Sequence, residues 1–224
     1  MSALRSGIGA AALLTLAVGL YVGLWSSPPD AFQRDYVRIM YVHVPTVSAA
    51  YLSFTIVAIA SFLYLWRRRA RYDQLAHSAA ELGVVFTGLA LATGSIWGKA
   101  VWGTWWTWDA RLVTTAILFL VYVTYLLVRE LADDRERGAR LASVVGIIGF
   151  LDIPIIHFSV VWFRTLHQPT SLVRGDIKLA PPMLAALLLN LLAILLLYLY
   201  LLMTRVRLEH LEAARLQALH EGAR

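Results

Sequence analysis

Residues 181–203 read PPMLAALLLNLLAILLLYLYLLM, a stretch without a single charged side chain. A helix needs about 20 mostly apolar residues to cross a hydrocarbon core of roughly 30 Å, so this stretch predicts a membrane-spanning helix. Five further stretches qualify in the same way, at 7–25, 46–66, 79–98, 112–128 and 141–161. Helices satisfy their own backbone hydrogen bonds in lipid. We therefore predict an all-α integral membrane protein, a bundle of six transmembrane helices.

The composition is that of a single membrane domain, with 59% hydrophobic and 15% charged residues. We assign residues 1–204 to this domain and residues 205–224 to a polar cytoplasmic tail. The chain has no cysteine, which excludes disulfides, thiolate metal sites and thiol nucleophiles within it. Arg5 precedes the first apolar run, and no small-residue cleavage site follows that run, so we predict a retained helix rather than a signal peptide.

The distribution of positive charge predicts the topology and gives no reason to expect a nucleic-acid partner. Basic residues on short loops favour the cytoplasmic side. Thirteen of the 20 lie in the N-terminus, in the segments 67–78 and 129–140, and in the tail. The other seven are Arg34, Arg38, Lys99, Arg111, Arg164, Arg174 and Lys178. Both termini are thus predicted in the cytoplasm, and the loops 26–45, 99–111 and 162–180 face outward.

Five of the eight tryptophans crowd into an outward segment, residues 97–111. It reads Trp97-Gly-Lys-Ala-Val-Trp102-Gly-Thr-Trp105-Trp106-Thr-Trp108-Asp109-Ala-Arg111. Tryptophan forms anchoring belts at membrane interfaces, which suffices to explain Trp25, Trp66 and Trp162. A belt needs only one or two rings at each helix end. The cluster therefore predicts a stacking surface for a large, flat, amphiphilic ligand.

The tryptophan segment has two alternative conformations, a loop or an interfacial helix. If residues 102–109 are helical, four side chains spaced i, i+3, i+4 and i+7 share one face. These are Trp102, Trp105, Trp106 and Asp109. Such a helix would lie in the plane of the interface as an aromatic platform with an acid at its edge. We expect Asp109 to brace the loop or to pair with Arg111.

Two histidines flank this segment in sequence, both on the outward side. His43 precedes the second predicted span, and His167 follows the fifth. Taken alone, each is explained as a hydrogen-bonded interface residue. Two imidazoles beside an aromatic surface are also what a bis-histidine haem iron uses, so we predict them as axial ligands of haem b. The histidines among cytoplasmic charges, His77, His210 and His220, are predicted to be solvated surface residues.

The fifth predicted span contains two ionisable residues, Asp152 and His157. Such groups are costly inside a membrane and are by default functional. No second histidine lies within a predicted span, however, so a haem held between two spans lacks its partner ligand. We interpret both residues as polar groups that face the bundle interior, and we expect Pro154 to kink their helix.

Haem also carries two propionates, which need charged or hydrogen-bonded partners near a membrane surface. Arginine suits this role because its guanidinium grips a carboxylate in a bidentate fork. Arg38 and Arg111 are the stronger candidates. Singly, each is also explained as a solvated or snorkelling cation. The weaker candidates are Lys99, Arg164 and Arg174.

Together these residues resemble a known family. Residues 102–112 match the WGxxWxWD signature of the WWD-domain haem-handling membrane proteins. Within that superfamily the chain is most similar to the CcmC family of cytochrome c maturation proteins. The similarity extends through residues 38–45, 93–99, 154–160 and 165–168. Six spans is also the number found in that family.

The resemblance implies a bacterial inner-membrane protein of cytochrome c biogenesis, a haem-transfer protein rather than an enzyme, often described as a haem exporter. It implies His43 and His167 as iron ligands and the tryptophan segment as the support of the porphyrin on the periplasmic face. The implied partners are a periplasmic haem chaperone, CcmE, to which haem becomes covalently attached, the small membrane protein CcmD and the ATP-binding-cassette pair CcmA and CcmB, besides membrane lipid.

Two other functions stay open. A b-haem quinol oxidoreductase would have the same hydrophobic character, but the missing pair of in-span histidines argues against it. A channel that moves haem through the bundle would need a continuous polar path. Beyond Asp152, His157 and Asn190 the predicted spans offer few polar residues.

Overall fold

The computed structural model describes residues 2–167 and 179–222, which are predominantly helical and contain no named β-strand. The α-helices in this part of the chain are α1 (Ser2–Tyr21), α2 (Met40–Arg67), α3 (Ala70–Trp102), α4 (Ala110–Glu130), α5 (Arg135–Phe150), α6 (Asp152–Trp162) and α7 (Pro181–Gly222). A π-helical turn, Val22–Ser26, extends α1, and a 3₁₀ turn, Asp35–Ile39, leads into α2.

Six helical segments among these residues are long and apolar enough to span a membrane. They are Ala3–Ser26, Asp35–Arg67, Ala70–Trp102, Ala110–Glu130, Arg135–Trp162 and Pro181–Arg215. The predicted all-α, six-span fold is therefore confirmed. The fifth span consists of α5 and α6, which meet at Leu151. The helix is thus interrupted close to Pro154, which lacks the N–H that would bond to the Phe150 carbonyl, and this position agrees with the predicted kink.

The second span begins earlier than its apolar pattern indicates. The predicted span starts at residue 46, but α2 begins at Met40 and includes Pro45 as its sixth residue. Pro45 lacks the N–H that would bond to the Tyr41 carbonyl, yet the helix continues through it. The prediction that His43 precedes the helix is therefore wrong. His43 lies in the first turns of α2, on a rigid element.

The centre of the bundle is closed by aromatic packing between α2, α4 and α5. Phe54 is fully buried and stacks on Tyr122, with ring centroids 3.7 Å apart and an interplanar angle of 13°. The Tyr122 hydroxyl donates to the Gly146 carbonyl at 2.9 Å. This bond satisfies a polar group that would otherwise be orphaned in an apolar core.

A polar contact joins the first and last spans. The Asn190 side chain, 1% exposed, donates to the carbonyls of Gly19 and Ala186, both at 2.8 Å. Small residues let helices approach closely in membranes, and buried amides hydrogen-bond across the interface. Asn190 is thus used by the α1–α7 contact rather than by a transport path.

Ion pairs tie the helices together at the end of the bundle that holds the 67–71 turn, which we call the arginine end. Arg129 grips the Asp73 carboxylate with both terminal nitrogens, and the pair is largely buried. Arg205 binds Glu81 bidentately, with both bonds at 2.6 Å. Helix α7 continues to Gly222 without a break, so the polar tail extends the last span.

His77 departs from its prediction as a solvated residue. Its Nδ1 lies 2.6 Å from Glu209 Oε1, and Glu209 is only 4% exposed. The α3–α7 contact therefore encloses it, which the sequence could not indicate because the two residues belong to distant helices. His210 is exposed as predicted. The side chain of His220 lies outside the described residues.

Candidate functional site

The opposite end of the bundle, which we call the tryptophan end, gathers the predicted site from several segments. His43 comes from the start of α2, and Trp97 and Trp102 come from the last turns of α3. Asp109 begins α4, and His167 follows α6. Helices that run in alternating directions place these termini together, although the residues are far apart in the chain.

The His43 imidazole is held in one orientation by α3. Its Nδ1 lies 3.0 Å from Thr93 Oγ1, and its ring meets Trp97 edge to face at 5.7 Å. The Thr93 hydroxyl is 2.8 Å from the Leu89 carbonyl, to which its single hydrogen is donated. Thr93 Oγ1 must then accept from His43, so the proton of the neutral ring sits on Nδ1.

A glycine makes this approach possible. A Cβ on residue 94 would lie 3.0 Å from His43 Cε1, tighter than ordinary van der Waals contact. Gly94 is one residue from the threonine that orients the imidazole. On the surface of α3, the Thr93 hydroxyl therefore binds His43, and Gly94 leaves the space that its ring occupies.

His167 is oriented by a carboxylate in the same way. Its Nδ1 lies 3.1 Å from Asp109 Oδ2, and its ring meets Trp102 edge to face at 4.8 Å. A carboxylate can only accept, so His167 also carries its proton on Nδ1. Asp109 is well placed to hold it, because its side chain is 7% exposed and its other oxygen accepts from the Leu112 N–H at 3.0 Å.

Both imidazoles consequently present Nε2 with its lone pair. Within residues 2–167 and 179–222, neither Nε2 has a hydrogen-bond partner. Hydrogen bonding of one nitrogen to fix the other for a metal is the usual arrangement of ligating histidines. The site is thus equipped to offer two neutral imidazole ligands.

The tryptophan segment is a loop between α3 and α4, so of the two alternatives the loop is the one observed, and the helical face over 102–109 is not formed. Helix α3 ends at Trp102, because Gly103 adopts φ +78°, a conformation that favours glycine. Lys99 Nζ then donates to the Gly103 carbonyl at 3.0 Å, which caps the helix end. Asp109 starts the next helix as its N-cap.

The five tryptophans accordingly form no single flat surface. Trp97 and Trp102 pack against the two histidines, as described above. Trp106 meets Trp108 edge to face at 5.8 Å. Trp105 and Trp108 are 59% and 85% exposed, and they leave a broad aromatic surface facing out of the bundle. Trp106 Nε1 is buried without a partner among the described residues, a donor left unfilled at the site.

The two predicted propionate partners differ in how far they are already engaged. Arg38 donates to the carbonyls of Leu24 and Ser27, at 2.8 and 3.2 Å, and pairs with Asp35 at 3.0 Å. It therefore ties the end of α1 to the start of α2. Its two terminal nitrogens are therefore engaged, although its Nε, like that of Arg111, is buried without a partner among the described residues.

Arg111 retains capacity for an anion. It lies in the first turn of α4, and its sole hydrogen bond in the described part of the chain is a long one, 3.5 Å to the His157 carbonyl. Its Nε is buried without a partner there. Asp109 pairs with His167, so the expected Asp109–Arg111 pair is replaced by a different one. Of the weaker candidates, Lys99 is engaged, Arg164 is exposed, and Arg174 lies outside the described residues.

Burial lowers the pKa of His167 below its ordinary value of 6.5, because an apolar environment disfavours the charged imidazolium. The Asp109 carboxylate opposes this shift, whereas the Arg111 guanidinium adds to it. The imidazole is therefore neutral at pH 7. When His167 leaves its site, its pKa returns to about 6.5, so below that pH the released histidine binds a proton more readily than the buried one. The buried state is therefore fully stable above pH 6.5 and loses stability as the pH falls below it.

We expect the contacts of His167 with Asp109 and Trp102 to weaken progressively in the ligand-free protein as the pH falls below about 6.5, because protonation favours the released histidine. Tryptophan fluorescence followed between pH 8 and about pH 4 measures this. The His167→Gln variant should lose the part of the transition that belongs to this ring. An identical pH profile in the variant would contradict the assignment.

Sequence reasoning missed the supporting residues of the histidines. Thr93 and Gly94 precede Trp97 by about one turn of α3, and this spacing could have placed them on its face. Gln33, whose Oε1 accepts from Trp97 Nε1 at 2.9 Å, carried no such signal because it lies in an irregular loop. Lys178 and Arg224, which entered the topology prediction, lie outside the described residues.

Comparisons with known proteins identify the family. The profile of CcmC, described as "Heme exporter protein C", matches residues 1–220. A "Heme exporter protein C" of Bradyrhizobium diazoefficiens is 43% identical over 75% of this chain and 63% of its own length. The protein of that name in Haemophilus influenzae is 41% identical over 89% and 82%, respectively.

More distant relatives have related names. The "Heme exporter protein C" of Escherichia coli K12 is 38% identical over 75% of this chain and 68% of its own length. The chain thus spans less than two thirds of the Bradyrhizobium relative and larger shares of the other two. With a profile match along nearly its whole length, the chain belongs to the CcmC family, the heme exporter protein C family.

Proposed function

We propose that this protein holds haem b at the periplasmic face of the bacterial inner membrane and delivers it to a haem chaperone during cytochrome c biogenesis. It acts as a transfer protein, with haem as its cargo, and not as an enzyme. One observation carries the proposal. In the described part of the chain, His43 and His167 each have Nδ1 engaged and Nε2 without a partner, and each ring packs against a tryptophan.

The donor set fits haem iron. Two neutral imidazoles are a common axial pair for haem, and the hydrogen bonds from Nδ1 raise their basicity as ligands. Trp97 and Trp102 pack against the two rings and restrict their movement. We assign His43 and His167 as the axial ligands on this basis.

The residues around the two histidines suit the propionates and the porphyrin ring of haem. Arg111 has buried, unfilled bonding capacity and suits a propionate. We retain Arg38 as a second propionate candidate, although its present bonds favour a role in shaping the loop. The exposed tryptophans supply apolar surface for a porphyrin that must leave again. The tryptophan residues assigned to the porphyrin are Trp97, Trp102, Trp105, Trp106 and Trp108.

The partners follow from the family. The printed names of the relatives include "Heme exporter protein C" and, for Marchantia polymorpha, "Putative cytochrome c biosynthesis ccmC-like mitochondrial protein". We propose a CcmE-type chaperone as the recipient, with CcmD, CcmA and CcmB in the same complex. Both termini are proposed to be cytoplasmic, in keeping with the excess of arginine at the arginine end.

Delivery at the outer face is favoured over passage of haem through the bundle. Phe54 and Tyr122 stack across its centre, and Asn190 is bonded within the α1–α7 contact. Passage of a porphyrin would have to separate the Phe54–Tyr122 stack and break the Asn190 hydrogen bond to Gly19. Transfer between the exposed tryptophan end and a soluble chaperone needs no such movement.

Purified protein in detergent tests the proposal. We expect oxidised and reduced absorption spectra typical of bis-histidine haem, and addition of the soluble chaperone domain should move haem to the chaperone when the two are separated. A chaperone whose haem-binding histidine is replaced is the control. Rapid reduction of the bound haem by a quinol, without transfer, would instead support a membrane oxidoreductase.

A further inference from the structure

The turn between α2 and α3 carries four arginines with no acid among them. Residues 67–71 read Arg-Arg-Arg-Ala-Arg, and every one of these residues is exposed. Within the described ranges, none of the four arginines forms an ion pair with a carboxylate. The nearest acid in sequence, Asp73, is occupied by Arg129. The turn therefore carries an unneutralised charge of four units.

The neighbouring turn at the same end differs. Residues 129–140 contain four arginines and also four acids, which are Glu130, Asp133, Asp134 and Glu136. Arg129 is paired within the bundle, and Arg140 lies 3.7 Å from Glu136. Positive charge on a cytoplasmic loop is sufficient for topology in both turns. Only the α2–α3 turn leaves that charge available for an external anion.

A shallow, open apolar groove lies directly beside this turn. Phe62, Leu65 and Trp66 line it on the last turns of α2. Phe62 and Trp66 are 58% and 67% exposed, and their rings lie 6.0 Å apart. In a spanning helix, this surface faces the acyl chains of the bilayer just below the headgroups.

Aromatic rings position two of the four arginines, and one of those rings, Trp66, also lines the groove. The Arg67 guanidinium lies 5.2 Å from the Trp66 ring centroid, and Arg71 lies 4.8 Å from that of Tyr72 and donates to its hydroxyl at 2.9 Å. Stacking of this kind positions a guanidinium and leaves its donors free for oxygen ligands. Arginine binds phosphate bidentately through such donors.

We propose that the α2–α3 turn and the adjoining groove bind one anionic phospholipid. Its headgroup phosphate contacts the arginines of residues 67–71, and one acyl chain lies along Phe62, Leu65 and Trp66. Charge complementarity and the order of basic turn then apolar groove favour a lipid over a protein partner. The site is at the far end of the bundle from the histidines, so this inference does not rest on the proposed function.

Lipid binding to the purified full chain tests the proposal. Native mass spectrometry with phosphatidylglycerol and with phosphatidylcholine should show preferential retention of phosphatidylglycerol. In the Arg67→Gln, Arg71→Gln double variant, we expect affinity for phosphatidylglycerol to fall about 25-fold, because each surface arginine contributes about fivefold. The matched control, Arg137→Gln with Arg140→Gln, removes two exposed arginines from the neighbouring turn and should change affinity little.

Further variants separate a lipid site from a phosphate site. Phe62→Ala with Leu65→Ala should weaken binding of long-chain phosphatidylglycerol and leave binding of water-soluble glycerophosphate unchanged, because Trp66 and its contact with Arg67 are retained. Circular dichroism establishes that each variant remains folded. Equal retention of both lipids, or an equal loss in the control variant, would overturn the proposal. Capture of a membrane protein by this face with no retained lipid would make it a protein-docking surface instead.

Discussion

His43→Ala and His167→Ala are each expected to weaken haem binding by the purified protein more than about 100-fold, because loss of an axial ligand exceeds the usual effect of losing its supporting residue. The remaining haem should have lost the spectrum of a bis-histidine complex. Absorption spectra of the oxidised and reduced protein, normalised to protein concentration, measure both effects. The double variant should retain no specific haem.

His210→Ala is the matched control, since His210 is exposed on α7 at the arginine end. Its spectrum should equal that of the unaltered protein. If both single variants at the tryptophan end also keep the original spectrum, the axial assignment is wrong. If His157→Ala lowers the retained haem instead, the iron ligand lies within the fifth span, on α6.

Asp109→Asn is expected to weaken haem binding by about 10-fold to 100-fold, the usual effect of removing the residue that orients a ligating histidine. Asparagine is as good an N-cap as aspartate, so α4 should keep its start and the protein its thermal stability. The amide can still accept a hydrogen bond, but it lacks the charge that makes His167 a stronger ligand. Haem titration and thermal unfolding, measured on the same sample, separate the two effects.

Asp134 provides the control for this variant because it caps α5 in the same way, accepting from the Arg137 N–H at 2.8 Å. Asp134→Asn should leave haem affinity unchanged. Asp109→Ala and Asp134→Ala should each cost about 1 kcal/mol of stability through loss of a cap. Haem affinity of Asp109→Asn equal to that of the unaltered protein would contradict a role in orienting His167.

The difference between the predicted and observed tryptophan segment has a local cause. The spacing of Trp102, Trp105 and Trp106 suits a helix, but Gly103 lies within it and takes a left-handed conformation. Asp109 then serves as an N-cap, a role that needs a non-helical residue. The helix-ending glycine and the helix-starting aspartate were both present in the sequence, and they decided the conformation against the helical spacing of the tryptophans.

The second discrepancy, at His43, has a different origin. A span is recognised from about 20 apolar residues together, which does not fix the residue at which its helix begins. Residues 40–45 were therefore assigned to the outward loop, although they are largely apolar and belong to α2. The consequence for function is favourable, because a ligand on a helix is held more rigidly than one on a loop.

The six spans, the break near Pro154 and the position of the tryptophan segment were determined by the sequence alone, since each depends on the character of neighbouring residues. Only the tertiary structure decided which partner orients each imidazole. Thr93 is 50 residues from His43, and Asp109 is 58 from His167. Those contacts exist only once the helices pack. The packing also engages the terminal nitrogens of Arg38 with backbone carbonyls, whereas Arg111 has a single long hydrogen bond in the described part of the chain. Which donors and acceptors of a side chain are engaged depends on its neighbours in space, and a local sequence pattern does not identify those neighbours.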